Sequence, residues 1–199
     1  MARTNLNSEW PLRRRDAVPR LVGRHEDFLI VAALAGTVRD CWSMTTDGSH
    51  AYAMSGAMGA GAMVAYGLAM QQPKRRVLGL VGDADLLMNL GSLATIAATP
   101  ADNLSILCVD NGMFAETGNQ VSHTGLGADL EAIARGAGFR STCTVREEAE
   151  MEEGAAMLRR PGLNFVLLKV GPEDAPDVQG ALDASFCRQR FRTALLGHP

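Results

Sequence analysis

The 199-residue chain is 47% hydrophobic, 21% charged and 5% aromatic, with a net charge of -3, which excludes a disordered, collagenous or coiled-coil class and fits one compact domain. This mild charge gives no electrostatic footprint for nucleic acid or an anionic membrane surface, and the longest apolar stretches, 28–36 and 57–70, are too short or too glycine-rich to span a bilayer. Cys41, Cys108, Cys143 and Cys187 form no C-x-x-C pair and read as buried, reduced thiols of a cytoplasmic protein.

Residues 1–24, with Arg13-Arg14-Arg15, Arg20 and Arg24, read as a solvated basic arm; His25, Glu26 and Asp27 follow where a signal peptide needs an apolar core. Phe28 to Leu34 is apolar without alternation, as a strand buried on both faces requires, and ends at Ala35-Gly36. Gly56, Gly59 and Gly61 open a small-residue helix to about Met70, stopped by Gln72-Pro73, and Val77 to Val81 is a second buried strand. A helix is expected over Leu86–Ala98 and a third strand over Leu104–Val109, followed by a polar loop from Gly112 to Gly127. A helix over Asp129–Gly136, a strand over Arg140–Val145, a helix over Glu147–Arg160 and a strand over Asn164–Val170 complete the alternation. This pattern predicts an α/β fold over 25–172, a three-layer, doubly wound, mostly parallel sheet with ligands at the carboxyl ends of its strands. Residues 173–199 form a tail with a helix over Ala181–Leu196.

Two polar clusters fall at such carboxyl ends, Gly82-Asp83-Ala84-Asp85 and Asp110-Asn111-Gly112. Taken singly, each is an ordinary helix start or turn. On neighbouring strands about 4.8 Å apart, however, Asp83 and Asn111 could give oxygens to one hard cation such as Mg2+. From Val77 to Ala134 there is no Lys or Arg, whereas Asp83, Asp85, Asp102, Asp110, Glu116, Asp129 and Glu131 all fall there. A phosphate bound here has no local lysine or arginine to hold it, which favours a bridging divalent metal, glycine-turn amides and a helix N-terminus. The dinucleotide alternative fails, because Gly59-Ala60-Gly61 is followed by Val64 where G-x-G-x-x-G needs Gly or Ala.

Gly82-Asp83-Ala84, then a spacer from Asp85 to Val109, then Asp110-Asn111 resembles the G-D-G … N-N signature of thiamine-diphosphate-dependent enzymes. The flanks, Asp85 to Ile96 and Asp110 to Gln120, resemble the group of sulfopyruvate decarboxylase beta subunits and carboxyl-terminal halves of phosphonopyruvate decarboxylases, and Gly56-Ala57-Met58-Gly59 resembles its G-S-M-G turn. The resemblance spans about 28–170. It implies thiamine diphosphate and Mg2+ as cofactors, with Asp83, the Asn111 side-chain oxygen and the Met113 carbonyl as metal ligands. It further implies that Gly36 faces the diphosphate with Gly82, Ala84, Asp85 and Phe114 around it, that the Gly56 carbonyl meets the aminopyrimidine, and that Met58 lies in the bend between the two rings. Ala84 and Asp110 depart from the family's Gly and Asn; a positive φ at Ala84 would strain it.

Members of this group need a glutamate from a pyrimidine-binding domain of similar size, for which one sheet domain leaves no room. The resemblance therefore implies an alpha-type partner subunit, a hetero-oligomer such as α2β2, and a 2-oxo acid decarboxylase active only in that assembly. Glu116, Thr117 and His123 are the candidate catalytic residues, with Gln120 beside them; His123 is the one basic-capable side chain in the basic-free span. Recognition of an anionic substrate then falls to the partner or to a sequence-distant residue such as Arg39. Two alternatives are a 2-oxoacid oxidoreductase beta subunit or an acetolactate-synthase-like enzyme, and a non-catalytic cofactor-binding module.

Overall fold

The computed structural model describes residues 9–198. The strands, in chain order, are β1 (Phe28–Ala32), β2 (Ala51–Ala53), β3 (Arg76–Gly82), β4 (Leu104–Asp110), the short antiparallel hairpin β5 (Met113–Phe114) and β6 (Gln120–Val121), β7 (Ser141–Val145) and β8 (Asn164–Lys169). Six of them form one parallel sheet in the order β2-β1-β3-β4-β8-β7. The unalternating apolar runs have the meaning expected of them. In β1, Phe28, Ile30 and Ala32 enter one core and Leu29 and Val31 the other, so the sheet is covered on both faces.

The helices are α1 (Arg14–Val22), α2 (Gly36–Thr45), α3 (Gly61–Gln71), α4 (Asp83–Leu87), α5 (Gly91–Ala98), α6 (Leu130–Ala137), α7 (Met151–Met157) and α8 (Ala184–Leu196). Side chains of α1, α2 and α7 build one core and those of α3, α4, α5 and α6 the other. Gly61 lets α3 press onto the sheet: a Cβ there would stand 2.5 Å from the Ala33 Cβ and 3.0 Å from Val81 Cγ1. Among the described residues no helix is long and apolar enough to cross a membrane.

Three expectations are corrected. Residues 14–22 are not a solvated arm: Ala17, Val18, Leu21 and Val22, at helical spacing, are buried, and Arg14 is buried with Asp40. Residues 1–8 of that arm lie outside the described residues. The helix expected over Leu86–Ala98 is two helices, α4 and α5, separated by a turn at Met88–Leu90, where Asn89 reaches back to the Gly59 carbonyl at 3.0 Å. The loop from Gly112 to Gly127 is folded into the β5–β6 hairpin and two 3-10 turns. The tail docks through α8, where Arg190 pairs with Asp47 at 2.7 Å and Phe191 meets Tyr52.

If α1 is part of the core, Leu21→Ala will lower stability by about 2–5 kcal/mol. A solvated arm would give about 0.5 kcal/mol or less; urea unfolding of parent and variant separates the two.

Candidate functional site

From β1 the chain crosses to β2 on one side and then returns to β3 on the other, so α2 and α4 leave adjacent strands toward opposite faces and open a crevice beyond the carboxyl ends. A cleft of about 550 Å³ occupies it, bordered by the segments after β1, β3 and β4, the β5–β6 hairpin, and residues 172–175. β3 and β4 are hydrogen-bonded neighbours with Gly82 opposite Val109, and this register puts Asp83 next to Asp110-Asn111.

Asp83 is buried, and its Oδ2 accepts from Ser122 Oγ at 2.6 Å and Thr124 Oγ1 at 2.8 Å. Burial, and then the charge of Asp110, push its carboxyl up to about 6, against the hydroxyls that favour the charged form. Asp110 is fully buried; its Oδ1 lies 2.7 Å from Thr124 Oγ1 and accepts from the Gly112 amide at 2.9 Å. Lys169, at the end of β8, donates to Asp110 Oδ2 at 2.5 Å, and the Trp10 ring covers its ammonium at 4.3 Å. Two carboxylates, two hydroxyls and one ammonium thus form a single buried network beneath the cleft.

Ala84 lies in the first turn of α4 with no positive φ, so alanine there is unstrained. Asp85 turns aside: its Oδ1 accepts from the Gly59 amide at 2.6 Å, tying the Gly56–Gly59 turn to the start of α4, and burial raises its carboxyl above the usual range. Its Oδ2 is buried without a hydrogen-bond partner. Asn111 Oδ1 accepts from the Met113 amide at 3.2 Å. Backbone strain is stored at the rim, where Ala35 takes φ 55° and ψ -119° directly before α2. Gly36 then lies against the guanidinium of Arg14, where a Cβ would meet Nη2 at 2.6 Å.

The carboxylates of Asp83, Asp85, Glu116, Glu173 and Asp174 border this cleft, against the guanidiniums of Arg14 and Arg39. Arg14 is neutralised by Asp40, to which Nε donates at 3.0 Å and Nη2 at 2.6 Å. An anionic ligand meets a predominantly acidic cleft, a setting that calls for a divalent cation. The nearby oxygen donors are hard ones, the Asp83 carboxylate, the Asn111 amide and the Met113 carbonyl, and this chemistry fits Mg2+. Among the described residues no group of three His, Cys, Asp or Glu could hold a metal by itself.

Gly36, Met58, Gly82, Asp83, Ala84, Asp85, Asn111, Met113, Phe114, Glu116 and Thr117 all border the cleft. Gly56, His123 and Gln120 do not. Gly56 is exposed on the turn before α3, with no atom within 4 Å of a Cβ built there. His123 follows β6 and is exposed, edge-on at 6.1 Å to Phe114, which does border the cleft. Gly36 opens α2 instead of ending β1. The basic-free span is basic-free only in sequence, since the fold brings Arg14, Arg39 and Lys169 to it. The missed Lys169 had a signal: a lysine inside the apolar run Phe165–Val170 demands a buried counter-charge.

Lys169→Met, which strands Asp110, is expected to cost about 3–5 kcal/mol in urea unfolding, and the double variant Lys169→Met with Asp110→Asn should recover most of it. The raised Asp83 value fixes a second expectation. Its folded value lies above the ordinary 3.8, so its contribution to the stability of the metal-free fold is present below about pH 3.8 and lost as pH rises through about 6. Asp83→Asn should therefore gain roughly 1–3 kcal/mol over the metal-free parent near neutral pH, and the gain should vanish near pH 4.

The family described as thiamine pyrophosphate enzyme, C-terminal TPP binding domain, matches residues 32–167. The chain is 36% identical to the sulfopyruvate decarboxylase subunit beta of Methanothermobacter thermautotrophicus, over 90% of this chain and 94% of that protein. It is 34% identical to the phosphonopyruvate decarboxylase of Streptomyces viridochromogenes, over 73% of this chain and 36% of that protein. Benzoylformate decarboxylase from Polynucleobacter necessarius shares the fold, with a TM-score of 0.68 at 18% identity, over 83% of this chain and 34% of that one. With the sheet order, the paired strand ends and these matches in agreement, the chain belongs to the thiamine pyrophosphate enzymes, as their C-terminal cofactor-binding domain, within the group of sulfopyruvate and phosphonopyruvate decarboxylases, which are carboxy-lyases.

Proposed function

We propose that this chain is the diphosphate- and Mg2+-binding subunit of a decarboxylase acting on a small, anionic 2-oxo acid, and that a pyrimidine-binding partner subunit completes the site with an activating glutamate. The observation that carries this reading is the juxtaposition of Asp83 and Asn111 on adjacent strand ends in a cleft whose acidic border needs a cation before it can take a diphosphate. Asp83, Asn111 and the Met113 carbonyl would hold the metal. The Ala84 amide in the first turn of α4 and the start of α2 at Gly36 offer backbone donors for the phosphates. Bound thiamine diphosphate supplies an electron sink for the electron pair left when a 2-oxo acid loses CO2.

The chain's own groups do the rest. Ser122 and Thr124 fix the Asp83 carboxylate, and Asp85 secures the turn that carries Met58. Thr117 and Gln120 brace the hairpin, Thr117 Oγ1 donating to Gln120 Oε1 at 2.8 Å. Met58, 37% exposed, and Met88, 64% exposed, give the neighbourhood of the Gly56–Gly59 turn an apolar surface on the side where a second subunit would close the site. The beta-subunit relatives, of nearly the same length, support a hetero-oligomer such as α2β2. Four free cysteines support a cytoplasmic setting.

Calorimetry tests the assignment. The parent chain should bind thiamine diphosphate only with Mg2+, and Asp83→Ala should lose that binding while keeping its circular dichroism spectrum. CO2 release from sulfopyruvate should require mixing with the partner subunit. Metal-independent cofactor binding, or unchanged affinity in Asp83→Ala, would overturn the metal assignment.

A further inference from the structure

Arg39 projects from α2 at a distinctive place. It borders the main cleft and also a second cavity of about 470 Å³, and Ala35 and Glu116 are the other two residues common to both. Its side chain is 45% exposed, and its Nη2 lies 3.8 Å from Glu116 Oε1, itself on a side chain 54% exposed. A half-exposed pair at this separation contributes little and exchanges readily for a better anion.

The other cations of the site are committed. Arg14 gives Nε and Nη2 to Asp40 and is buried, and Lys169 is held by Asp110 beneath Trp10. Arg39 is thus the one guanidinium bordering the cleft, among the described residues, whose charge is not taken up by a tight partner. Its position is set by the fold, because strained Ala35 turns the chain from β1 into α2 and puts residue 39 one helical turn from the cleft mouth.

We propose that Arg39 is the specificity-determining residue of this subunit: it binds the second anionic group of a small 2-oxo acid, a sulfonate or phosphonate, through the guanidinium fork, displacing Glu116. This rests on the decarboxylase reading and adds the residue that selects among 2-oxo acids. A planar fork gives two parallel charge-assisted bonds to a tetrahedral oxyanion, and an ammonium at the same place gives a point charge. Glu116 is the counter-charge that the substrate's second anion must displace, so it disfavours neutral side chains that cannot replace it on Arg39.

The test uses the complex of this chain with its partner subunit, loaded with thiamine diphosphate and Mg2+, as parent, Arg39→Met and Arg39→Lys. Two substrates are compared: sulfopyruvate, and pyruvate, which keeps the 2-oxo carboxylate and lacks the second anion. Arg39→Met should raise KM for sulfopyruvate about 10- to 100-fold with kcat within about threefold, leave KM for pyruvate within about twofold, and leave cofactor affinity unchanged; Arg39→Lys should recover part of the loss. Equal losses on both substrates, or a matching loss of thiamine diphosphate affinity, would overturn the assignment. Calorimetric binding of 3-sulfopropanoate, a non-reacting dianion, decides the matter independently of turnover: at least tenfold weaker binding in Arg39→Met supports the role and equal binding overturns it. A complex that takes up the cofactor and decarboxylates neither acid would sink the decarboxylase reading while the binding comparison still judges Arg39.

Discussion

Two aspartates placed at the ends of adjacent parallel strands repel each other, and the arrangement of this molecule around its cleft is organised to make that placement tolerable. Asp83 and Asp110 are both buried, at a position where burial alone disfavours a charge. The Ser122 hydroxyl donates to Asp83, the Thr124 hydroxyl lies between the two, and Lys169 arrives from β8 to balance Asp110. Each helper comes from a different part of the chain. The β5–β6 hairpin must fold back to deliver the hydroxyls, and β8 must lie beside β4, inside the edge strand β7, to deliver the ammonium. The strand order is in this sense the geometry that holds the Asp83 carboxylate against the cleft. Asp110 is balanced inside the protein by Lys169, whereas Asp83 borders the cleft with the two hydroxyls on its Oδ2 and no cation beside it among the described residues.

The same division appears among the positive groups. Arg14 and Lys169 are structural: each is buried and paired with a buried aspartate. Arg39 is different, with a loose partner and solvent on one side. Burial and pairing, more than the number of arginines, therefore separate cations that hold the fold from a cation that can meet a ligand.

Much of this was legible in the chain. The apolar runs of β1, β3 and β4 announced a sheet covered on both faces, and the polar residues after β3 and β4 announced where the cleft would open, because residue type and position at a strand end are local properties. What escaped were long-range pairings. The arginines of residues 13–24 concealed the helical spacing of Ala17, Val18, Leu21 and Val22, since a buried Arg14 makes sense only once Asp40 is known to face it. Three-residue β2 is too short to show a pattern, and α2 shows its spacing, Val38, Cys41, Trp42, Thr45, only to a reader already expecting a helix there. That His123 lies outside the cleft border was not legible, because a titratable side chain in a polar loop says nothing about where the chain after β6 will leave it. The break at Met88–Leu90 depends on Asn89 finding Gly59, a contact no periodicity encodes.

The N-terminal segment carries Trp10 over Lys169, and the Leu12 carbonyl accepts from the Gly171 amide at 2.9 Å. The two ends of the domain thus close over the same carboxylate. During synthesis, when the chain emerges from its N-terminus onward, the strand that neutralises Asp110 is the last of the sheet to appear, and the tryptophan that covers it has waited since the beginning. The polar heart of the cleft is consequently a late event in the life of each molecule. A chain that ends before Lys169 lacks the ammonium that balances Asp110 and that Trp10 covers, so the two ends of the sequence are needed together for this one buried charge pair.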